Sequence, residues 1–112
     1  MSSPNPQPSA ANPAPVFAAL GDRTRLSLLM KLSDGQTRSI AKLSADTDLT
    51  RQAVTKHLHV LQDAGLVHSI RIGRESQFAY RPEPLDDARS YLDAVSAQWD
   101  DALARLRAFV ER

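Results

Sequence analysis

The chain has 112 residues, of which 42% are hydrophobic and 24% charged, with a formal net charge of +1. That leaves room for one domain with a modest core and excludes both global disorder and a polyanion-coating protein. The chain contains no cysteine, which excludes a disulfide scaffold, a thiolate metal site, an iron–sulfur cluster and a cysteine nucleophile.

No apolar run approaches the ~20 residues of a membrane span, and the N-terminus carries no secretory signal, so a soluble cytoplasmic protein is expected. Residues 1–14 hold no charged residue and no large apolar residue after Met1, and five of the seven prolines fall by Pro15. Such a segment buries too little to offset its ordering entropy. A disordered Pro-rich tail is expected there, with one domain over 15–112. A short helix over 16–20 presents Val16, Phe17 and Leu20. A second, over 22–33, starts at the N-cap Asp22 and offers Leu26, Leu28, Leu29, Met30 and Leu32 as one wide apolar face. A third, over 39–46, presents Ile40 and Leu43, and Thr47, Asp48 and Leu49 form a tight turn after it.

The fourth helix has the clearest start. Thr50 is its N-cap, and Leu49 and Val54 form a hydrophobic-staple pair across it. Its inward stripe is Val54, Leu58 and Leu61, and it stops at Gly65. The period then changes to two. Strands over 66–72 and 76–81 are expected to join through Gly73, Arg74 and Glu75, with Ile70, Ile72, Phe78 and Tyr80 as the alternating apolar set. Pro82, Glu83 and Pro84 break the strand and open a long last helix. Asp86 and Asp87 lie in its first turn and Arg105, Arg107 and Arg112 near its end, both favourable to the helix dipole. The fold class is mainly α with a small β-hairpin, in the order α-α-α-α-β-β-α. Gly21, Gly35, Gly65 and Gly73 all sit at breaks, which leaves none for a phosphate-cradling loop.

A short helix, a three-residue turn and a longer helix make a helix–turn–helix arrangement. With Val54 inward, steps of about 100° place Gln52, Thr55, Lys56 and His59 outward and Arg51 on the flank. That set suits a DNA major groove. Arginine pairs with guanine, glutamine with adenine, and threonine with a thymine methyl or a phosphate, while the helix N-terminus at Thr50 favours a phosphate. Residues 50–82 carry five Lys/Arg against two acids, a net of +3, whereas residues 83–112 carry four against seven, a net of −3. The near-neutral total hides a polarised molecule, and Arg71 and Arg74 on the hairpin are expected along the DNA backbone or in a minor groove. The alternative is a capped surface helix in a protein–protein adaptor that never touches DNA. No nucleophile–base–orienter grouping is present, so an enzyme is not expected.

Seven-residue spacing on the last helix aligns Leu85, Leu92, Trp99 and Leu106, then Ala88, Val95, Ala102 and Phe109, with Leu103 and Val110 on the flank. At about 28 residues that helix is ~42 Å long, more than one domain of this size covers. A homodimer through the first and last helices is therefore expected, with Val16, Phe17 and Leu20 contributing. Trp99 beside Ala88, Ala94 and Ala102 reads either as packing at the dimer seam or as one wall of a pocket for a small-molecule inducer.

Three segments, FAALGDRTRL over 17–26, LTRQAVTKHLHVLQDAGLV over 49–67 and RIGRES over 71–76, closely resemble ArsR-type winged-helix repressors across about 16–82. The resemblance implies a winged helix–turn–helix fold and a bacterial or archaeal homodimeric repressor. It also implies that residues 50–65 and a wing at Gly73 bind double-stranded operator DNA. Family members that sense metal use a cysteine pair on the helix equivalent to 39–46, or histidines and carboxylates on the last helix. Here the first stretch reads SIAKLSAD and the last helix has no histidine, so a metal-independent member without cofactor is expected. Asp86, Asp93 and Asp100 share one face, as a hard-cation stripe or as plain polar surface. His57 and His59 lie about 200° apart on their helix and cannot chelate together, and His68 is on a strand. His57 reads as a boundary or phosphate-contacting residue.

Overall fold

A computed structural model describes residues 12–112, so the tail expected over 1–14 lies outside the described residues as far as residue 11, while Ala14 already belongs to the first helix. Five helices and three short strands follow: α1 (Ala14–Leu20), α2 (Arg23–Leu32), β1 (Arg38–Ser39), α3 (Ile40–Ala45), α4 (Arg51–Asp63), β2 (Val67–Ile72), β3 (Glu75–Tyr80) and α5 (Glu83–Val110). Helix α1 begins two residues before the expected start because Pro15 is tolerated in a first turn, where its missing N–H would have no partner.

Asp22 caps α2 by accepting the Arg25 amide at 3.0 Å. The Arg25 side chain turns back to close α1, donating from Nε to the Ala19 carbonyl at 2.7 Å and from Nη2 to the Ala18 carbonyl at 3.3 Å. Asp22 and Arg25 thus satisfy orphan groups at the two helix ends of this junction. Leu28, Leu29 and Leu32 of α2 enter the core. The wide face expected of this helix is corrected on its other members: Leu26 is 44% and Met30 69% exposed. Each sits about 160° around the helix from Leu28, and a core on one side can take only one of the two directions.

Strand β1 has two residues, too few for any alternation to betray it. It pairs antiparallel with β3 (Arg38 opposite Phe78, Ser39 opposite Gln77) and completes a sheet of order β1-β3-β2. The turn before it is clamped by Arg38, whose Nη1 and Nη2 donate to the two Asp34 carboxylate oxygens at 3.0 and 2.7 Å. That guanidinium holds the Asp34 carboxyl down at about 2.

The hairpin forms, but in a register one residue away from expectation. Its turn has two residues, Gly73 and Arg74, so Ile72 faces Glu75 and Ile70 faces Gln77, while Ser69 faces Phe78 and Val67 faces Tyr80. Gly73 takes the first central position at φ +63°, where glycine relieves the strain of a two-residue hairpin turn. Directly opposed residues share a face, so Phe78 and Tyr80 belong with Val67 and not with Ile70 and Ile72. The inner face is Val67 and Phe78, both buried; Ile72 is left exposed.

Leu28, Leu32, Leu43, Leu58, Leu61, Leu66, Val54 and Val67 form the closed centre of the core, and no polar or charged side chain is buried among the described residues. Helix α5 contributes Pro84 and Ala88 to it. One turn further, Tyr91 meets Phe17 of α1 with ring centroids 6.3 Å apart. Beyond that point α5 leaves the domain behind.

Candidate DNA interface

Helix α4 is fixed at both ends and along one side. Thr50 Oγ1 accepts the Ala53 amide at 3.0 Å, the expected N-cap. At the far end Gly65, φ +77°, lets its own amide reach the Gln62 carbonyl and the Leu66 amide reach the Leu61 carbonyl, both at 2.9 Å. That pair of bonds is the Schellman stop. The preceding turn is stitched to α3: Ser44 Oγ donates to the Leu49 carbonyl at 2.9 Å, and Thr47 Oγ1 accepts the Leu49 amide at 3.2 Å. Val54, Leu58 and Leu61 are buried, so α4 has no freedom to roll about its axis.

The outward direction follows from that. Arg51, Gln52, Lys56 and His59 are all exposed, as is Thr50 at the helix entrance. Thr55 departs from expectation. It is half-buried, and its hydroxyl donates to the Arg51 carbonyl at 2.7 Å. With its donor engaged, the hydroxyl is left to act only as an acceptor. His57 sits at the boundary, half-buried, with Nδ1 4.0 Å from Asp22 Oδ1 on the cap of α2. The Arg25 amide bonded to Asp22 holds that carboxyl below its usual range, against the opposing effect of burial, with the Arg25 and His57 charges adding to it.

Arg71 and Arg74 are exposed on the hairpin. The fold brings together what 22 intervening residues separate: Arg51 at the start of α4 and Arg74 at the hairpin tip line one surface cleft. Ser39, Ile40 and Ala41 at the start of α3, with Glu75 and Ser76 on β3, complete its walls. Two guanidiniums against the one carboxylate of Glu75 leave the cleft net positive, a surface that attracts a phosphate. Ser39 and Ser76 were not anticipated as site residues. Ser39 is the N-cap of α3, accepting the Lys42 amide at 3.1 Å, and the pairing of β1 with β3 that carries it to the wing is long-range.

The expected interface residues divide. Val16 is 2% exposed and packs in the chain's own core, so its assignment to a dimer surface is corrected. Phe17, Leu20 and Leu85 are half-buried against the same core. Val95 is half-buried, while Leu92, Trp99, Leu106 and Phe109 are exposed together with Tyr91, Leu103 and Val110. Tyr91 was missed because it lies outside both seven-residue registers, on the rim of the stripe. Asp86, Asp93 and Asp100 are exposed, and among the described residues no three His, Asp or Glu side chains are grouped to hold a metal ion. No helix among the described residues is long and apolar enough to cross a membrane.

Residues 20–70 match the family model described as a helix-turn-helix domain. The chain is 42% identical to the HTH-type transcriptional regulator YuzN of Bacillus subtilis, over 62% of this chain and 83% of that protein. An ArsR-like transcriptional regulator from Rhodococcus sp. RHA1 superposes with a TM-score of 0.79 at 37% identity, covering 88% of this chain and 92% of that one. A homodimeric winged helix-turn-helix DNA-binding domain from Mycobacterium bovis, a possible ArsR-family regulator, superposes with a TM-score of 0.61 at 27% identity, covering 88% and 91%. With that sequence identity spread over most of its relatives' length, and with a capped second helix and a hairpin wing in place, the chain belongs to the ArsR-type winged helix–turn–helix transcriptional regulators and is not an enzyme.

Proposed function

We propose that this regulator is a dimeric, metal-independent repressor that reads a palindromic operator with α4 in the major groove and the Gly73–Arg74 wing against the backbone. One observation carries the reading: Arg51, Gln52, Lys56 and His59 stand exposed along a helix whose opposite side is fully buried, so all four present to one groove at once. Arg51 and Gln52 are the base-reading pair at the helix entrance. Thr50, Arg71 and Arg74 position the protein on phosphates, with the Arg51–Arg74 cleft seating one of them. Thr55 contributes its methyl.

Dimerisation supplies the second half-site. Leu92, Trp99, Leu103, Leu106, Phe109 and Val110 of α5 are each 52–72% exposed, an apolar stripe that water disfavours and a second copy covers. A two-fold axis through that stripe spaces the two α4 helices by about one DNA turn, ~34 Å, which requires a palindrome. The cysteine-free sequence supports metal independence. Trp99 stands outward on α5, which favours packing at the dimer seam over the wall of an inducer pocket. A DNA target places the protein in the cytoplasm.

The test is selection of bound duplexes from random DNA, repeated with chelator and with added Zn²⁺. A palindromic consensus indifferent to metal is the expected result; binding that ignores sequence at physiological salt, or that collapses on metal addition, overturns it. On the selected operator, Arg51→Ala and Gln52→Ala are each expected to weaken binding by about 1–3 kcal/mol and to relax choice at one base pair, read by titration of single-base variants. Arg74→Ala is expected to behave otherwise. It weakens cognate and scrambled duplexes alike and flattens the slope of log affinity against log salt by about 1 per subunit. An adaptor that never meets DNA shows neither affinity nor slope.

A further inference from the structure

The cleft that attracts a phosphate contains an anion of its own. Glu75 follows Arg74 at the hairpin tip and lines the same cleft as Arg51 and Arg74. A carboxylate is the natural rival of a phosphate there, because both offer oxygens to the fork of a guanidinium. Among the described residues, however, Glu75 forms an ion pair with neither arginine.

The carboxylate is held from the other side. Glu75 and Gln77 alternate with Ser76 along β3 and so point to the same face of the sheet. Gln77 Nε2 donates to Glu75 Oε1 at 3.1 Å. The amide is oriented in turn by Thr37, whose hydroxyl donates to Gln77 Oε1 at 2.5 Å. With its oxygen taken by a donor, the amide turns its NH2 group toward the carboxylate. Thr37 and Gln77 are both half-buried and 40 positions apart in the chain. They meet because β1 pairs with β3, with Ser39 opposite Gln77. Gln77 opens onto a second cleft, which shares Ser39 with the first and is lined also by Arg38 and Lys42. Those two cations have carboxylates of their own: Arg38 is bonded to Asp34, and Lys42 Nζ lies 3.9 Å from Asp46. A neutral amide, and not a third cation, therefore holds Glu75.

We infer that Gln77 is a positioning residue for DNA binding: backed by Thr37, it tethers the Glu75 carboxylate and so keeps Arg51 and Arg74 open to a phosphate. This rests on the reading of that cleft as a backbone contact and goes beyond it by naming what keeps the cleft open. Released from Gln77, Glu75 is an exposed, flexible side chain in a cleft with two exposed arginines, and an ion pair is the favoured outcome. A surface pair of that kind is weak, but it has to be broken each time a phosphate enters, once in each subunit. Even tethered, the carboxylate repels the DNA backbone at longer range. It thereby holds down the part of the affinity that every sequence shares and leaves a larger share to the base contacts of Arg51 and Gln52.

The test is a mutant cycle in the full chain, read on cognate and scrambled duplexes over a salt series. Gln77→Met keeps the length of the side chain and removes the amide. It is expected to weaken both duplexes alike, by ~3–10-fold for the dimer, and to flatten the slope of log affinity against log salt. Glu75→Gln removes the charge and is expected to strengthen both duplexes by at least ~3-fold. The double variant decides. With no carboxylate left to hold, Gln77→Met on the Glu75→Gln background should bind as Glu75→Gln alone does, whereas a merely structural role for Gln77 gives the same loss on either background. Thr37→Val leaves the amide and removes the donor that orients it, so it should show the Gln77→Met effect in weaker form. Circular dichroism checks the fold of each variant, and Thr37→Val carries the same cycle should Gln77→Met unfold. A cycle in which the first substitution leaves binding at the wild-type level, or in which Glu75→Gln fails to cancel its effect, overturns the inference. Arg74→Ala without effect on either duplex or on the salt slope overturns the reading of the cleft itself, and is recognised before the cycle is built.

Discussion

Replacing Trp99 and Leu106 together by glutamate is expected to yield a folded monomer that has lost at least ~100-fold of its operator affinity. Both side chains are exposed in the protomer, Trp99 at 64% and Leu106 at 57%, and neither touches the core that holds the domain together. Folding should be indifferent to the change. Dimerisation should not be, since each carboxylate would have to be desolvated without a partner inside an apolar seam. The two half-site contacts of a dimer are joined through an effective concentration that adds ~10²–10⁴ to affinity without any new contact, and a monomer forfeits that factor. Sedimentation with titration on a full palindrome and on an isolated half-site separates the effects. The double variant should bind the half-site about as the wild-type subunit does and gain little from the full site. A dimer that survives both substitutions, or a monomer that keeps full affinity, sinks the reading of α5 as the dimer element.

The largest effect on stability is expected at Leu58. It is fully buried at the middle of α4 and faces the opposite way from the base-reading set. Leu58→Ala removes its transfer free energy and opens a cavity that the packed leucines around it only partly refill, at a cost of about 2–5 kcal/mol. Against the ~5–15 kcal/mol typical of a whole domain, that is a large share. Chemical denaturation measures it, and a change below ~1 kcal/mol would show that the inner face of α4 is not the packed centre described here. The contrast with Gln52→Ala is sharper than either value alone. At a temperature where both variants are folded, Leu58→Ala should keep the wild-type order of preference among operator variants, and Gln52→Ala should keep wild-type stability and change that order. One helix carries fold on one side and recognition on the other.

That division was legible in the residues because it is written within a few positions along the chain. Thr50 at the N-cap, the inward stripe of Val54, Leu58 and Leu61, and Gly65 at the stop all act between neighbours one to four residues apart, and each took its expected place. The same holds for the 28-residue span of α5 and its apolar spacing. The errors fell on features that local pattern leaves degenerate. Leu26 and Met30 satisfy an apolar face for α2 as well as Leu28 and Leu32 do, and only the position of α4 and β3 beside the helix decides which side is covered. Ile70 and Ile72 alternate as cleanly as Val67, yet a turn of two residues in place of three moved every pairing by one and exposed Ile72.

The amino-acid sequence by itself therefore determined the order of the helices and the hairpin, the caps of the recognition helix, the face it turns outward and an apolar last helix too long for its own domain. Only the tertiary structure decided that a two-residue strand ties the start of α3 to the wing, that Arg51 and Arg74 share one cleft, that Arg25 closes α1, and that Val16 belongs to the core. The physical reason is range. Caps, turns and periodicity act through bonds to near neighbours and are inherited directly from residue order. Strand register, the convergence of distant cations and the choice between two apolar faces are settled by which packing buries the most surface with every backbone group paired, a comparison made only once the whole chain has closed on itself.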